Sequence, residues 1–534
     1  MSAVNLGAAA ATATPQVAVA GISYPDSRLL IAGIFVLALV PLFCTPVLPF
    51  IDFYNHIARY FVLANIDHDA LLQQNYRANW SILPNIGLDI VVTALMKMLP
   101  EPAVPRITVI LIFAVQYSGI LYFNRALTGR VSAVTALLIV PLLYSFILNW
   151  GFANFLLGLG LMFWGAGWWL GQRHRLPLAL PVACVFAAVI FFVHGLTFAL
   201  YGILIGMLEI GLWLQAPQRR WPALAKAMLP LAAQALVPVL LFLAAKTSQN
   251  DQGLTNADEA VTRLSNAGRL GARLWTLLQH RLVTIVRVAE GPSLAFDIAA
   301  LAAMAALLVL LLGRKRLRFA TVAVPAILVF ALLVVVMPPA MFGVGYVADR
   351  MPLVLAMLFV GALDVRRQGD RFEKLVFGAM AALVALRLAG IALVWQAYGQ
   401  DQRDFEAIAG ALPRGALVES IVIGGDRLDY SRRRCAMFGP LLIAEHGMVG
   451  RLFANETQQP LVMIGPLRAT IASYRRPQRG SMQTPGFFDD VVAATAHSAF
   501  PWALVCDADR LTKPVPAAAH QVARAGRFTL YSID

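Results

Sequence analysis

Three ionisable residues stand close together soon after the first hydrophobic run, in the stretch LPFIDFYNHIARYFVLAN at residues 48–65. A helix from about Phe53 to Asn65 places Asp52, His56 and Arg59, spaced i, i+4 and i+7, on one face. An acid, an imidazole and a fixed cation are groups that move a proton and stabilise developing negative charge. The structural alternative is that Asp52 caps the helix while His56 and Arg59 anchor it at lipid headgroups.

Two further ionisable positions stand at the ends of hydrophobic runs. Asp349 and Arg350 close the loop GVGYVADRMPL, and His194 separates two apolar runs in FFVHGLTF. Arginine makes forked contacts with phosphate, and an ionisable group at a tight junction between membrane helices is a candidate site. The alternatives are a surface ion pair for the first two residues and a hydrogen-bonded structural histidine for the third, and the sequence leaves them open.

The remaining polar motifs carry less chemistry. Asp67, His68 and Asp69 have no third metal-ligating element at suitable spacing, so no metal site is predicted. The basic run Arg432, Arg433 and Arg434 is typical of a solvated surface, and the alternative is contact with anionic lipid heads or a phosphorylated acceptor. The sequence holds no P-loop, dinucleotide fingerprint or serine nucleophile elbow. We therefore predict no cofactor, and a divalent metal is not indicated. Cys435 and Cys506 would pair only in an oxidising compartment, and the sequence does not decide this.

The composition is that of an integral membrane protein. Of the 534 residues, 59% are hydrophobic and only 13% are charged, against roughly 25% charged residues in a soluble domain. The formal net charge of +14 comes mostly from short clusters between apolar runs. This is how a multi-pass protein sets its orientation, so nucleic acid is excluded as a partner.

Apolar runs predict about eleven or twelve membrane spans. Runs long enough to cross fall at 29–50, 104–122, 131–148, 152–170, 177–193, 195–214, 223–245, 294–312, 319–337, 350–365 and 374–395, with a shorter run at 83–99. If the N-terminus is cytoplasmic and the segment at 83–99 is partial or re-entrant, every basic loop lies on the cytoplasmic side of the membrane. These loops are 124–130, 171–175, 215–226, 313–318 and 364–374. Asp52, His194, Asp349 and the C-terminus then lie outside.

The predicted fold is therefore an all-α polytopic membrane protein with a small C-terminal α/β domain outside the membrane. Residues 1–28 are expected to be disordered, and residues 29–395 form the membrane domain, with a first outer loop at 51–103 and a long outer loop at 247–293. The long loop contains an amphipathic stretch with helical spacing. Residues 396–534 form the C-terminal domain. In it, RDFEAIAGALPRGALVESIVIGG predicts a helix followed by a short strand, and PWALVCDAD and RFTLYSID predict further strands.

The acidic residue at the outer end of the first span resembles the arrangement in the GT-C superfamily of membrane glycosyltransferases. The stretch DFYNHIAR at 52–59 also resembles an Asp-x-x-x-His-x-x-Arg stretch of uncharacterised bacterial membrane proteins of this type. The polytopic body with a C-terminal outer domain is similar too. The chain departs from several GT-C families in lacking their acidic pair and Pro-Pro-Leu signature, and has only LPNIGLD at 83–89 in that region.

The resemblance implies transfer of a sugar from a polyprenyl-phosphate donor to a glycan, lipid or protein acceptor, at the outer face of a bacterial inner membrane. It makes Asp52 the catalytic base and Arg59 and Arg350 candidate cations for the departing phosphate, with His56, His194 and Asp349 as further substrate-binding candidates. Two alternatives stay open, a transporter or flippase of lipid-linked glycans and a non-catalytic partner in envelope polysaccharide assembly. The ionisable candidates collect at one membrane surface, which favours the enzyme over the transporter.

Overall fold

The computed structural model describes residues 28–245, 270–291, 293–341, 345–366, 368–423, 434–454, 458–474 and 487–534. The predicted disordered N-terminal segment, apart from its last residue, lies outside this part of the chain. Arg432, Arg433 and the first part of the long outer loop also lie outside it.

The described membrane body is built from helices, as predicted. These are α1 (Arg28–Leu39), α2 (Phe53–Asn65), α3 (Ala70–Asn75), α4 (Gly87–Met96), α5 (Val104–Thr128), α6 (Ala133–Leu143), α7 (Phe146–Trp150), α8 (Ala153–Gln172), α9 (Leu176–Val193), α10 (Gly195–Gln215), α11 (Trp221–Ala244), α12 (Leu270–Val286), α13 (Leu294–Gly313), α14 (Val324–Val336), α15 (Val347–Gly361) and α16 (Arg371–Gln396). Three short strands accompany them: β1 (Tyr76–Ala78), β2 (Leu317–Phe319) and β3 (Leu363–Val365).

Eight helical segments of the described chain are long and apolar enough to cross a membrane. They are Glu101–Thr128, Ala133–Trp150, Ala153–Gln172, Leu176–Val193, Gly195–Gln215, Trp221–Ala244, Leu294–Gly313 and Arg371–Ala409. The segments Arg28–Phe43 and Thr321–Val336 and the helix α15 are shorter and also fall on predicted spans. The predicted span at 131–148 is broken into α6 and α7 at Ser145, whose hydroxyl accepts a hydrogen bond from the Leu148 N–H at the start of α7.

Three loops that the charge pattern predicts on the cytoplasmic side meet at one end of the bundle. Strand β2 pairs antiparallel with β3, which joins the loops at 313–318 and 364–374. Arg316 donates to Asp370 at 2.6 Å, and Arg130 of the loop at 124–130 donates to Asp364 at 2.6 Å. We call this the basic end of the bundle.

The segment 83–99 begins and ends at the opposite end. Asn85 accepts a hydrogen bond from the Gly195 N–H in the turn between α9 and α10. Arg106, shortly after the segment, donates to the backbone carbonyl of Thr45 at 2.6 Å. The helix between them, α4, has ten residues, a length of about 15 Å, or about half the hydrocarbon thickness. This agrees with the predicted partial segment.

Helix α2 has the predicted bounds, Phe53–Asn65. It packs between α4 and a C-terminal helix, and most of its residues are buried, including Tyr54, Ile57 and Tyr60. Most of the helix is buried because it carries apolar residues on both of its sides, and each side packs against a different partner.

The C-terminal domain is a small α/β unit, as predicted. It comprises α17 (Tyr398–Ala409), β4 (Val418–Val422), α18 (Phe438–Ala444), β5 (Leu461–Met463), α19 (Gly465–Ser473), α20 (Phe487–Ala496), β6 (Trp502–Cys506), β7 (Ala519–Ala525) and β8 (Phe528–Ile533). One sheet has the order β4-β6-β8-β7, with β4 parallel to β6 and the other two pairs antiparallel. The structure joins Cys435 to Cys506 in a disulfide, which decides the pairing that the sequence leaves open.

The first outer loop and the C-terminal domain share a hydrophobic core. Strand β1 pairs antiparallel with β5, and the Tyr76 hydroxyl donates to the Gly450 carbonyl at 2.7 Å. Val62 and Leu63 of α2 are buried in one cluster with Val449 and Leu461. The C-terminal domain therefore covers the helix that begins at Asp52.

Candidate functional site

The turn between α7 and α8 holds the backbone of Asp52. The N–H groups of Ile51 and Asp52 donate to the carbonyls of Asn149 and Trp150, at 3.0 and 2.9 Å. Gly151 has a φ of +86°, and a Cβ atom there would lie 2.3 Å from the backbone nitrogen of Phe53. A glycine is therefore required for this close approach.

Asp52 is half-buried and occupies the N-cap position of α2. Its side chain makes no capping hydrogen bond to that helix, whose residues are all described. The structure therefore does not show the capping role that was the alternative to a chemical one.

His56 and Arg59 lie together, as their spacing predicts, but Arg59 has an unforeseen partner. Its guanidinium forms a two-pronged ion pair with Asp89 of α4, at 2.6 and 3.1 Å, and the two side chains are 1% and 0% exposed. It also contacts the Nδ1 atom of His56 at 3.0 Å and the carbonyl of Phe453. Asp89 thus balances the charge of Arg59, and the predicted role of Arg59 at a lipid phosphate stays a prediction. An acid inside an apolar run was the available signal for Asp89.

The arginine also controls the state of His56. Burial and the neighbouring positive charge of Arg59 hold the pKa of His56 well below its usual value. The imidazole is therefore neutral near pH 7. Because an arginine can only donate, Nδ1 accepts, and the proton sits on Nε2.

His194 and Arg350 contact each other directly. An Nη1 atom of Arg350 lies 3.1 Å from Nε2 of His194, and the guanidinium lies over the rings of Phe152 and Phe155, at 4.5 and 5.1 Å from their centres. Arginine is the donor in this pair, so the proton of His194 sits on Nδ1. That atom has no hydrogen-bond partner within the described chain, and the same is true of Nε of Arg350.

An apolar cavity of about 260 Å³ opens beside His194. It lies between the segment before α4, the α9–α10 turn, α11 and the start of α15. Its walls are Pro84, Asn85, Phe191, His194, Gly195, Leu196, Phe198, Ala199, Val239, Phe242, Met341 and Val347. Asp52 is not one of these wall residues. The cavity is suited to a hydrocarbon chain with a hydrogen-bond acceptor at the His194 end.

Arg350 also belongs to a group of arginines that are linked by shared acidic neighbours. We call it the arginine cluster, and its members are Arg281, Arg287, Arg350 and Arg434, with the acids Glu290 and Asp349. Asp349 interacts electrostatically with the first three arginines. All members are buried except Arg434, which is half-buried. Four cations against two acids leave an excess of positive charge in a mostly buried place.

The contacts of the individual arginines leave donors unused. Arg281 donates one bond, to the Met337 carbonyl at 2.5 Å, and its Nε and Nη1 have no partner among the described residues. Burial lowers the pKa of both Arg281 and Arg287. Arg287 lies 3.4 Å from Glu290 and stacks on the Phe146 ring.

Glu290 is held in a fixed turn at the centre of the cluster. Asp297 accepts a hydrogen bond from the Gly291 N–H at 2.6 Å and pairs with Arg387, which in turn donates to the Ala289 carbonyl. Burial raises the pKa of Glu290 to about 7, although the nearby arginines act in the opposite direction. The cluster therefore becomes more positive when Glu290 is protonated.

Tyr346 sets the start of α15 in an unusual conformation. Its φ of +58° is in the left-handed region, which a bulky residue rarely adopts. Its ring lies 4.4 Å from that of Trp150, the residue whose carbonyl binds Asp52. A backbone conformation of this kind costs of order 1–3 kcal/mol and is often found at functional sites. The ring contact connects Asp52 with Asp349 and Arg350.

The predicted site residues other than Asp52 thus form two groups. His56 and Arg59 lie with Asp89, whereas His194, Asp349 and Arg350 lie at the cavity and the arginine cluster. Sequence analysis missed Asp89, Arg281, Arg287 and Glu290, and it favoured a solvated surface for Arg434. The predicted amphipathic stretch contains Arg281 and Arg287, but their contact with α15 depends on tertiary packing.

Other polar residues have structural roles. Asp69 caps α3 through the N–H groups of Leu71 and Leu72. Asn154 accepts a bond from the Leu88 N–H and so caps α4 from a neighbouring helix. Among the described residues, Glu406, Glu445 and His446 lie close enough together to hold a metal ion, whereas Cys435 and Cys506, which lie near Asp507, are taken up by their disulfide. They include no predicted site residue.

No family model matches the chain. No curated protein matches it either. Among solved structures, the chain is similar to the crystal structure of ArnT from Cupriavidus metallidurans bound to undecaprenyl phosphate, with 14% identity over 94% of this chain and 97% of that chain, and a TM-score of 0.27. A TM-score this low does not define a common fold, so the site is interpreted from its own contacts.

Proposed function

We propose that the protein is a GT-C-type membrane glycosyltransferase that transfers a sugar from a polyprenyl-phosphate-linked donor to an acceptor at the outer face of the membrane. The observation that carries this proposal is the arginine cluster, with its excess of positive charge, next to an apolar cavity. These two features match the two parts of such a donor, an anionic phosphate and a hydrocarbon chain.

The physical argument begins with the cost of burying charge. An unpaired buried cation is unfavourable unless a compensating anion is bound. Unused donors of Arg281 and Arg350 supply the hydrogen bonds that phosphate oxygens accept. In the proposed reaction, the bond between the anomeric carbon and the phosphate oxygen breaks and leaves negative charge on the lipid phosphate. Fixed cations in a dry site stabilise that charge.

Asp52 is the proposed base. It is half-buried, does not cap its helix, and is tied through Trp150 and Tyr346 to the helix that bears Arg350. In this role it accepts the proton of the acceptor hydroxyl as that oxygen attacks the anomeric carbon. Arg59 is assigned instead to holding α2 against α4, because its charge is balanced by Asp89.

The site end of the molecule is placed outside the cytoplasm in this proposal. The basic loops gather at the opposite end of the bundle, and such loops stay in the cytoplasm. The Cys435–Cys506 disulfide belongs to the same outer side, and disulfides persist in oxidising compartments. The bacterial inner membrane is the proposed location, and the acceptor is a glycan, a lipid or a protein.

The test compares Asp52→Asn with the matched variant Asp67→Asn. Both remove one carboxylate from the first outer loop, but Asp67 is exposed and outside the site. In membranes supplied with a labelled polyprenyl-linked sugar, Asp52→Asn should lower transfer by between about a hundredfold and ten-thousandfold. Binding of undecaprenyl phosphate should be kept, because the arginines are intact. Full transfer by Asp52→Asn would remove Asp52 as the base.

A further inference from the structure

One residue of the arginine cluster comes from the C-terminal domain. Arg434 reaches into the membrane body, where it donates to the carbonyls of Pro49 and Asn149, at 3.1 and 3.4 Å. Its other Nη atom lies 3.4 Å from the carboxylate of Glu290. Arg434 therefore joins the segment before Asp52, the turn that holds Asp52 and the acid of the cluster.

The backbone of Arg434 is fixed on both sides of its Cα atom. Its N–H donates to the hydroxyl of Tyr398 at 2.8 Å. The next residue, Cys435, is bonded to Cys506, 71 positions further along the chain, with a Cα–Cα distance of 6.4 Å. Both cysteines are almost fully buried. The segment that carries Arg434 is thus tied to the end of β6.

The bridge matters because arginine is long and flexible. Holding such a side chain in one geometry costs conformational entropy, and fixing the backbone of each residue that carries it adds a further entropy cost. Cys506 lies in the sheet core, where it pairs with Phe528 of β8, so it offers a rigid anchor. Without the bridge, the backbone of Arg434 would still donate to the Tyr398 hydroxyl. Its Cα atom would no longer be held from the C-terminal side, so the position of the guanidinium would be less fixed.

We propose that the Cys435–Cys506 disulfide is a positioning element of the anion site, which holds Arg434 at Glu290 so that phosphate binding depends on the bridge. This rests on the proposed function, since the anion is taken to be the lipid phosphate. The disulfide and Arg434 act here as positioning groups, with no part in the bond changes.

The experiment is a double-mutant cycle on the full-length protein, with undecaprenyl phosphate as the probe. We expect Cys435→Ser with Cys506→Ser to weaken probe binding by roughly tenfold, and Arg434→Gln to weaken it by a similar factor. All changes together should bind no more weakly than Arg434→Gln alone, because the bridge acts through that side chain. Cys44→Ser with Cys184→Ser is the matched control, since these two cysteines are free.

A conservative replacement separates positioning from general destabilisation. With the bridge present, Arg434→Lys should bind the probe better than Arg434→Gln, because its charge is still held near the site. Without the bridge, the two variants should bind equally. A merely structural bridge would leave the Lys–Gln difference unchanged, and that result would overturn the inference.

The remaining outcomes are also decisive. If the variant without the bridge does not fold, the intact protein is instead treated with a dithiol. The dithiol reduces the Cys435–Cys506 bridge to two thiols and is itself oxidised to a disulfide. Reduction should then weaken binding in the wild type and have no effect in Arg434→Gln. Unchanged binding after reduction overturns this inference alone. A wild-type protein that does not bind the probe overturns it together with the proposed function.

Discussion

Replacement of Glu290 by glutamine should change how the stability of the protein depends on pH. Glu290 is 3% exposed, and burial raises the pKa of its carboxyl from 4.5 to about 7. Arg287 and Arg434 lower this pKa, and Asp297 raises it further. The net rise means that burial outweighs the arginines and favours the protonated, neutral form, which glutamine imitates.

The direction follows from proton linkage. A carboxyl with a raised pKa holds its proton more tightly in the folded protein than in the unfolded chain, so its stabilising contribution is complete below pH 4.5. This contribution is lost as the pH rises through about 7. The difference between the two pKa values corresponds to roughly 3 kcal/mol. Relative to wild type, Glu290→Gln should therefore gain stability between about pH 5 and pH 8.

Thermal unfolding of the purified protein, followed by tryptophan fluorescence at a series of pH values, measures this difference. Asp67→Asn serves as the control, because that carboxylate is exposed, and its stability difference from wild type should be constant over the same range. An equal difference between Glu290→Gln and wild type at pH 5 and pH 8 would refute the reasoning, because Glu290 would then ionise without cost.

Two further predictions concern the packing around Asp52. Asp89→Asn leaves the charge of Arg59 buried without its partner and should lower the free energy of unfolding by about 3–5 kcal/mol. Replacing both residues by leucine should restore part of this free energy. Wild-type stability of Asp89→Asn would contradict the prediction. Gly151→Ala places a Cβ atom against the backbone of Phe53 at a positive φ and should cost more than about 1 kcal/mol and reduce transfer. Gly202→Ala, where a Cβ atom meets nothing within 4 Å, should have no such effect, and equal thermal stability of the two variants would argue against the close approach.

The sequence by itself determined the local elements and indicated which basic loops share one end of the bundle. Helix α2 begins at Phe53 and ends at Asn65, as predicted, and β4, β6 and β8 lie in the three segments in which a strand is predicted. The basic loops that meet at one end of the bundle were also indicated. These features depend on hydrophobic runs, local spacing and loop charge, which are properties of short segments.

Only the tertiary structure decided which charges face each other. Arg59 and Asp89 are 30 positions apart, and the contact of Arg434 with Glu290 spans 144 positions. Whether a buried arginine is balanced by an acid or left to bind an anion depends on the elements packed against it, and no local pattern records this. The Cys435–Cys506 pairing was open for the same reason, since a disulfide requires two distant backbones to meet.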